Sequence, residues 1–147
     1  MALTSCDLVE ETAVVRVYLT HCCAGKDPAL RGTGKAVTPD KLYSEQPIHQ
    51  FMDACKRCSV RWAIFSDLYG VWFSDITHEW YEKDPDTLTE TEFETLRKNF
   101  DEQLSTFSEI RFYHPGDLHP FHRRLLRETT LAERISLFTD LSEIRSE

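Results

Sequence analysis

The chain has 147 residues, 41% of them hydrophobic and 12% aromatic, which is enough apolar material for a core built without disulfides or metal. A formal net charge of −8 excludes the global basic field that draws a protein to nucleic acid or to an anionic membrane surface. No apolar stretch approaches the length of a membrane span and no cationic leader with an apolar run opens the sequence, so no membrane partner and a cytoplasmic location are expected.

Residues 13–19, Ala-Val-Val-Arg-Val-Tyr-Leu, are rich in β-branched and aromatic side chains and predict a first strand, which ends in Thr20, His21, Cys22 and Cys23. Residues 27–37 hold Gly and Pro breakers among charges and read as a loop. Thr38 and Pro39 then have the pattern of a helix start, for a short helix carrying Leu42 and Tyr43. Pro47 opens the next helix, with Ile48, Phe51, Met52 and Cys55 on one face. Residues 60–65 are apolar almost throughout and predict a second strand in a central, doubly covered position. That strand delivers Ser66, Asp67, Tyr69 and Gly70, and the cluster from Asp75 to Tyr81 follows. Thr89 and Glu92 form a capping pattern for a long helix with the stripe Phe93, Leu96, Phe100, Leu104 and Phe107. Residues 110–113 predict a third strand running into His114, Pro115 and Gly116. A helix with Phe121, Leu125 and Leu126 follows, and residues 131–138 predict another. Strands separated by helical segments imply one α/β domain over residues 1–147, a three-layer arrangement with a mostly parallel central sheet. Ligands of such sheets sit at the C-terminal strand ends.

Several residues near those ends have chemical potential, each with a plainer structural alternative. The five cysteines are odd in number and read as reduced thiols; Cys55 and Cys58 have metal-knuckle spacing but fall on one helix as packing residues. Cys23 and Lys26 are either an activated thiol with its cation or a small buried thiol beside a surface lysine. Ser66 can hydrogen-bond a ligand edge, Tyr69 can stack on a ring, and Gly70 permits close backbone approach; equally, the segment can be a capped turn with an aromatic plug. Asp75 and Glu79 read as a carboxylate pair that activates water or, with His78, grips a divalent ion, or else as an exposed acidic loop. Of His114, His119 and His122, one is expected in the pocket and the others on the surface or in the core; no fixed signature supports a three-histidine zinc site, and no metal or cofactor is assigned. Arg123, Arg124, Arg127 and Arg134 form a basic concentration that could meet phosphates, although Glu128 and Glu133 dilute it toward a salt-bridged surface.

Cys23-Ala24-Gly25-Lys26 resembles the Cys-x-x-Lys signature of a broad set of archaeal, bacterial and phage proteins. The segments at Ala36–Tyr43 and Ile64–Gly70 resemble the same set's Ala-x-x-Leu-Tyr and Ser-x-x-Tyr-Gly elements. The latter, with Asp75 and Tyr81, is also similar to the YaaA peroxide-stress family, although Trp80 stands where that family has proline. Cys23 and Lys26 further resemble a segment of archaeosine-synthase proteins. These resemblances imply a fold like that of uracil-DNA-glycosylase domains, in which a His-Pro segment such as His114-Pro115 lines a base pocket. The expectation that follows is an enzyme acting on a nucleobase, nucleoside or nucleic acid, by glycosidic-bond cleavage or base modification. Asp75, His114 and Cys23 would be catalytic, and Lys26, Tyr43, Ser66, Tyr69, Gly70, Tyr81 and His119 would bind the ligand. A non-catalytic nucleic-acid-binding or stress-response module using Arg123, Arg124 and Arg127 is the alternative.

Overall fold

The computed structural model describes residues 15–23 and 25–145. Five strands, β1 (Arg16–His21), β2 (Trp62–Ser66), β3 (Gly70–Phe73), β4 (Glu109–Tyr113) and β5 (Ile135–Phe138), form one sheet in the order β3-β2-β1-β4-β5. β1 pairs in parallel with β2 and β4, and β4 with β5; only the β2–β3 hairpin is antiparallel. The protein is thus α/β with a mostly parallel sheet, and among the described residues no helix is long and apolar enough to cross a membrane.

The period-two alternation of the strands divides the core in two. Tyr18, Trp62, Ile64 and Tyr113 face one side, where α2 (Gln46–Cys58), preceded by the single turn α1 (Pro39–Leu42), contributes Ile48, Phe51, Met52 and Cys55. Val17, Leu19, Ala63, Phe65, Ile110 and Phe112 face the other, under Phe93, Leu96 and Phe100 of α3 (Glu90–Gln103) and Phe121 and Leu125 of α4 (Pro120–Glu128). Every residue of β2 is buried, as a strand covered on both faces requires. The capping box expected at Thr89 forms: its hydroxyl accepts from Glu92 N, and the Glu92 carboxylate accepts from Thr89 N.

Three expectations need correction. Residues 131–138 do not form a helix; after a 3-10 turn at 132–134, Ile135–Phe138 joins the sheet as an edge strand, where its exposed Ser136 and Leu137 are tolerated. β3 is a strand where only a site-bearing loop was expected, because its four residues fold straight back on β2. The first strand ends later than expected, since pairing with β2 carries the ladder on to His21 opposite Phe65. Of its expected start, residues 13 and 14 lie outside the described residues.

The hairpin turns on Gly70. Its φ of +76° is left-handed, and a Cβ there would lie 2.3 Å from Asn99 Oδ1. That oxygen is held in place by accepting from Val71 N at 2.8 Å. Gly70→Ala is therefore expected to destabilise the protein by about 1–3 kcal/mol in urea unfolding. A loss below about 0.5 kcal/mol, the scale of a neutral surface change, would contradict this account of the turn.

Candidate functional site

Strand order decides where a site can form. From β1 the chain crosses to β2 on one side and later returns to β4 on the other, so a crevice opens beyond the C-terminal ends of β1 and β4. A pocket of about 280 Å³ lies there. Buried Asp67 and His122 line it, with partly buried His21, Cys22, Cys23, Lys26, Lys83 and His119, and exposed Glu45 and Asp117 at its edge. Each side chain arrives for a local reason. His21, Cys22 and Cys23 run off β1, Asp67 follows the last residue of β2, and His119 and His122 sit at the start of α4.

Below the pocket runs a chain of hydroxyls. Ser66 Oγ accepts from the amides of Leu68 and Tyr69, at 3.1 and 3.0 Å, so its own proton goes to Tyr81 OH at 3.0 Å. The Tyr81 and Tyr43 hydroxyls are 2.5 Å apart. Lys26 Nζ lies over the Tyr81 ring, 4.5 Å from its centroid, and 5.9 Å from that of Tyr43. Burial, more than any neighbouring charge, raises the pKa of both phenols, so they stay protonated and neutral.

The imidazoles above this chain are held by different partners. His21 Nδ1 lies 2.8 Å from the Cys22 carbonyl, which only accepts, so the proton is on Nδ1 and Nε2 is left as an acceptor. His119 Nδ1 accepts from Phe121 N as the cap of α4, and Nε2 therefore donates to Asp86 at 2.6 Å. His122 is 4% exposed, packed against the rings of His21 and Phe121 at 5.4 and 4.7 Å between centroids. Burial, and then the nearby His21 and His119, push its pKa down to about 3. Burial likewise raises the pKa of Asp67 against the opposing pull of Lys26.

Unsatisfied groups collect here. Among the described residues four buried side-chain nitrogen or oxygen atoms have no hydrogen-bond partner, and three of them, Asp67 Oδ1 and both ring nitrogens of His122, belong to this pocket. Buried polar groups are almost always paired, and each one left unpaired costs about 1–3 kcal/mol. Their concentration in one cavity is the strongest mark of a binding site in the structure.

The residues singled out from the sequence divide. Cys23, Lys26 and His119 line the pocket. Tyr43, Ser66 and Tyr81 form the hydroxyl chain. Tyr69 turns aside to stack on His78, with centroids 3.8 Å apart, and donates to the Glu79 carbonyl. Gly70 serves the hairpin. His114 lines a separate open recess with Pro115, Gly116 and Arg123. Asp75 is exposed just beyond β3, whose antiparallel course carries it to the opposite end of the sheet, so the structure does not bring it together with His114 or Cys23. Nor is Cys23 an activated thiol: burial, followed by the charge of Glu45, outweighs Lys26 and pushes it up to about 12. Arg124 is bound to Glu90 and Glu128 and covers the Phe93 ring, while Arg123 donates to the Leu118 carbonyl and Arg127 is exposed. Cys55 is buried in the core and Cys58 donates to the Ile144 carbonyl. Among the described residues no group of three His, Cys, Asp or Glu side chains is placed to hold a metal.

Sequence reasoning passed over His21, Glu45 and Lys83, and gave His122 and Asp67 less weight than their neighbours. The signal for Asp67 was its position directly after an all-apolar strand; that for His122 was its helical i, i+3 spacing from His119. Comparison with known proteins adds no relative: no family model, no curated protein and no solved structure matches the chain.

Two measurements probe this geometry. Tyr81→Phe removes the central hydroxyl and leaves those of Ser66 and Tyr43 underbonded, so a loss of about 1–3 kcal/mol in urea unfolding is expected; an unchanged midpoint would show that the chain contributes nothing. For His122, the folded pKa lies below the ordinary value of 6.5, so the unfolded chain takes up a proton that the folded protein refuses. Stability should fall as pH drops from about 6.5 toward about 3, and His122→Phe should flatten that fall by up to about 1.4 kcal/mol per pH unit. Identical slopes in the two proteins would mean that His122 is not held neutral.

Proposed function

We propose that this pocket binds a nucleobase-type heterocycle and that the protein acts on the base or on its glycosidic bond. The observation that carries the reading is the set of unpaired polar atoms on Asp67 and His122. Together they offer a carboxyl and a neutral imidazole, which can donate from one nitrogen and accept at the other. An amide-like ring edge, with a donor beside an acceptor, satisfies such a set. The flat faces of His21 and His122 suit an aromatic ring, and the volume is near the lower end of the roughly 300–1,000 Å³ of small-ligand pockets. The resemblance of the Cys-x-x-Lys and Ser-x-x-Tyr-Gly segments to glycosylase-like proteins supports the same reading.

In this reading Asp67 replaces Asp75, and His21 with His122 replaces His114, with the two roles exchanged: the carboxyl serves the leaving base and the imidazole serves the water. Cleavage of an N-glycosidic bond then runs as hydrolysis. The C1′–N bond breaks and its electron pair leaves with the base, which takes a proton from the Asp67 carboxyl. Water adds to C1′ and gives a proton to His21 Nε2, from which it returns to Asp67. The raised pKa of Asp67 suits a proton donor, and the fixed Nδ1–H tautomer of His21 suits an acceptor. Cys23, protonated, serves as a wall and not as a nucleophile.

A thermal-shift panel of nucleobases and nucleosides, followed by chromatographic detection of released base, tests the reading. A ligand at a hundred times its Kd should add about 2.7 kcal/mol of stability. Asp67→Asn and His122→Phe should lose the ligand response or the turnover, whereas Asp75→Ala should keep both. No response to any base or nucleoside, or a response that depends on Asp75 and not on Asp67, would contradict it.

A further inference from the structure

Lys26 stands at the seam of two cavities. It lines both the 280 Å³ pocket and an open recess of about 510 Å³ beside it, and Lys83 is the other residue common to the two. The remaining charges of the recess are already engaged. Lys83 pairs with Glu92 at 3.0 Å, Glu82 with Arg31 at 3.5 Å, and the Asp84 carboxylate accepts from Asp86 N to close the turn at 85–87. Lys26 differs. Among the described residues it makes no ion pair, and its ammonium rests on the faces of Tyr81 and Tyr43. The two rings restrain the side chain at the cavity wall without neutralising it. A cation held in this way, next to a pocket with base-complementary groups, is placed for an anionic substituent on the same ligand.

We infer that the ligand is a nucleotide, its base against Asp67 and His122 and its phosphoryl group on Lys26 where the pocket opens into the recess. This rests on the base-binding reading above and extends it to the substrate class. It also moves phosphate recognition away from the arginines of α4. Arg124 is held by two carboxylates there, and Arg123 lines the recess on the other side of Asp117.

Calorimetric titration at constant ionic strength distinguishes the possibilities, using nucleosides, their 5′-monophosphates and inorganic phosphate with wild type, Lys26→Met and Arg123→Ala. Met keeps the contact with the two rings while removing the charge, and a thermal melt checks that each variant is folded. In the wild type a monophosphate should bind at least about tenfold (1.4 kcal/mol) tighter than its nucleoside. Lys26→Met should erase that preference, and Arg123→Ala should retain it. Equal binding of nucleoside and nucleotide by the wild type, or a preference that survives Lys26→Met, overturns the inference and leaves the base-binding reading standing. A nucleotide that binds no better than inorganic phosphate, or no binding at all, overturns the base-binding reading and this inference with it.

Discussion

The central place of β1 in the sheet is the constraint on which the rest depends. Its four middle residues are buried on both sides, and it exchanges backbone hydrogen bonds with a parallel neighbour on each edge. With β2 on one side and β4 on the other, the chain moves from β1 to β2 in one direction and from β3 back across to β4 in the other, and the pocket lies past the C-terminal end of β1. The segments that follow β1, β2 and β4 therefore start from one end of the sheet, and residues from each reach the pocket. Here these are His21 with Cys22 and Cys23, then Asp67, and then the turn leading to His119 and His122.

That crevice is unusual in its electrostatics. Burial disfavours the charged form of several of its groups: the imidazoles of His21 and His122 are lowered, the Asp67 carboxyl is raised, and the thiols of Cys22 and Cys23 are pushed up to about 12. The phenols beneath are protonated for the same reason. A neutral polar surface of this kind recognises by matching donors to acceptors, not by net charge, and shifted pKa values of both signs in one cleft are a recurrent mark of functional sites. Charge-bearing side chains stand around this surface: Lys26 and Lys83, the latter paired with Glu92, and Glu45 and Asp117 at the edge.

Much of the architecture was legible in the residues. The β-branched and apolar runs marked β1, β2 and β4; the capping box at Thr89 and the stripe from Phe93 to Phe100 marked α3. The two short strands were not, because four residues such as Gly70–Phe73 or Ile135–Phe138 are too few for a period to establish itself. Their assignment comes from partners distant in sequence. The site was half legible on the same grounds. Cys23, Lys26 and Ser66 stood out by their place after a strand and His119 by its cluster of histidines, whereas Tyr43 and Tyr81 were named through the family resemblance. Asp75 was misplaced in expectation because an antiparallel return carries it to the far end of the sheet, a turn of direction that spacing along the chain does not encode. His122 stood out only once its burial and missing partners were visible.

The measurement that bears most directly on the central claim is histidine side-chain NMR of the protein titrated with a nucleobase or nucleoside. Six imidazoles report from separate places in the molecule. The account predicts that ligand perturbs the resonances of His21 and His122, inside the pocket, while His49 and His78, outside it, stay fixed. A bound ligand that leaves His21 and His122 unmoved, or moves only the outlying histidines, would contradict it.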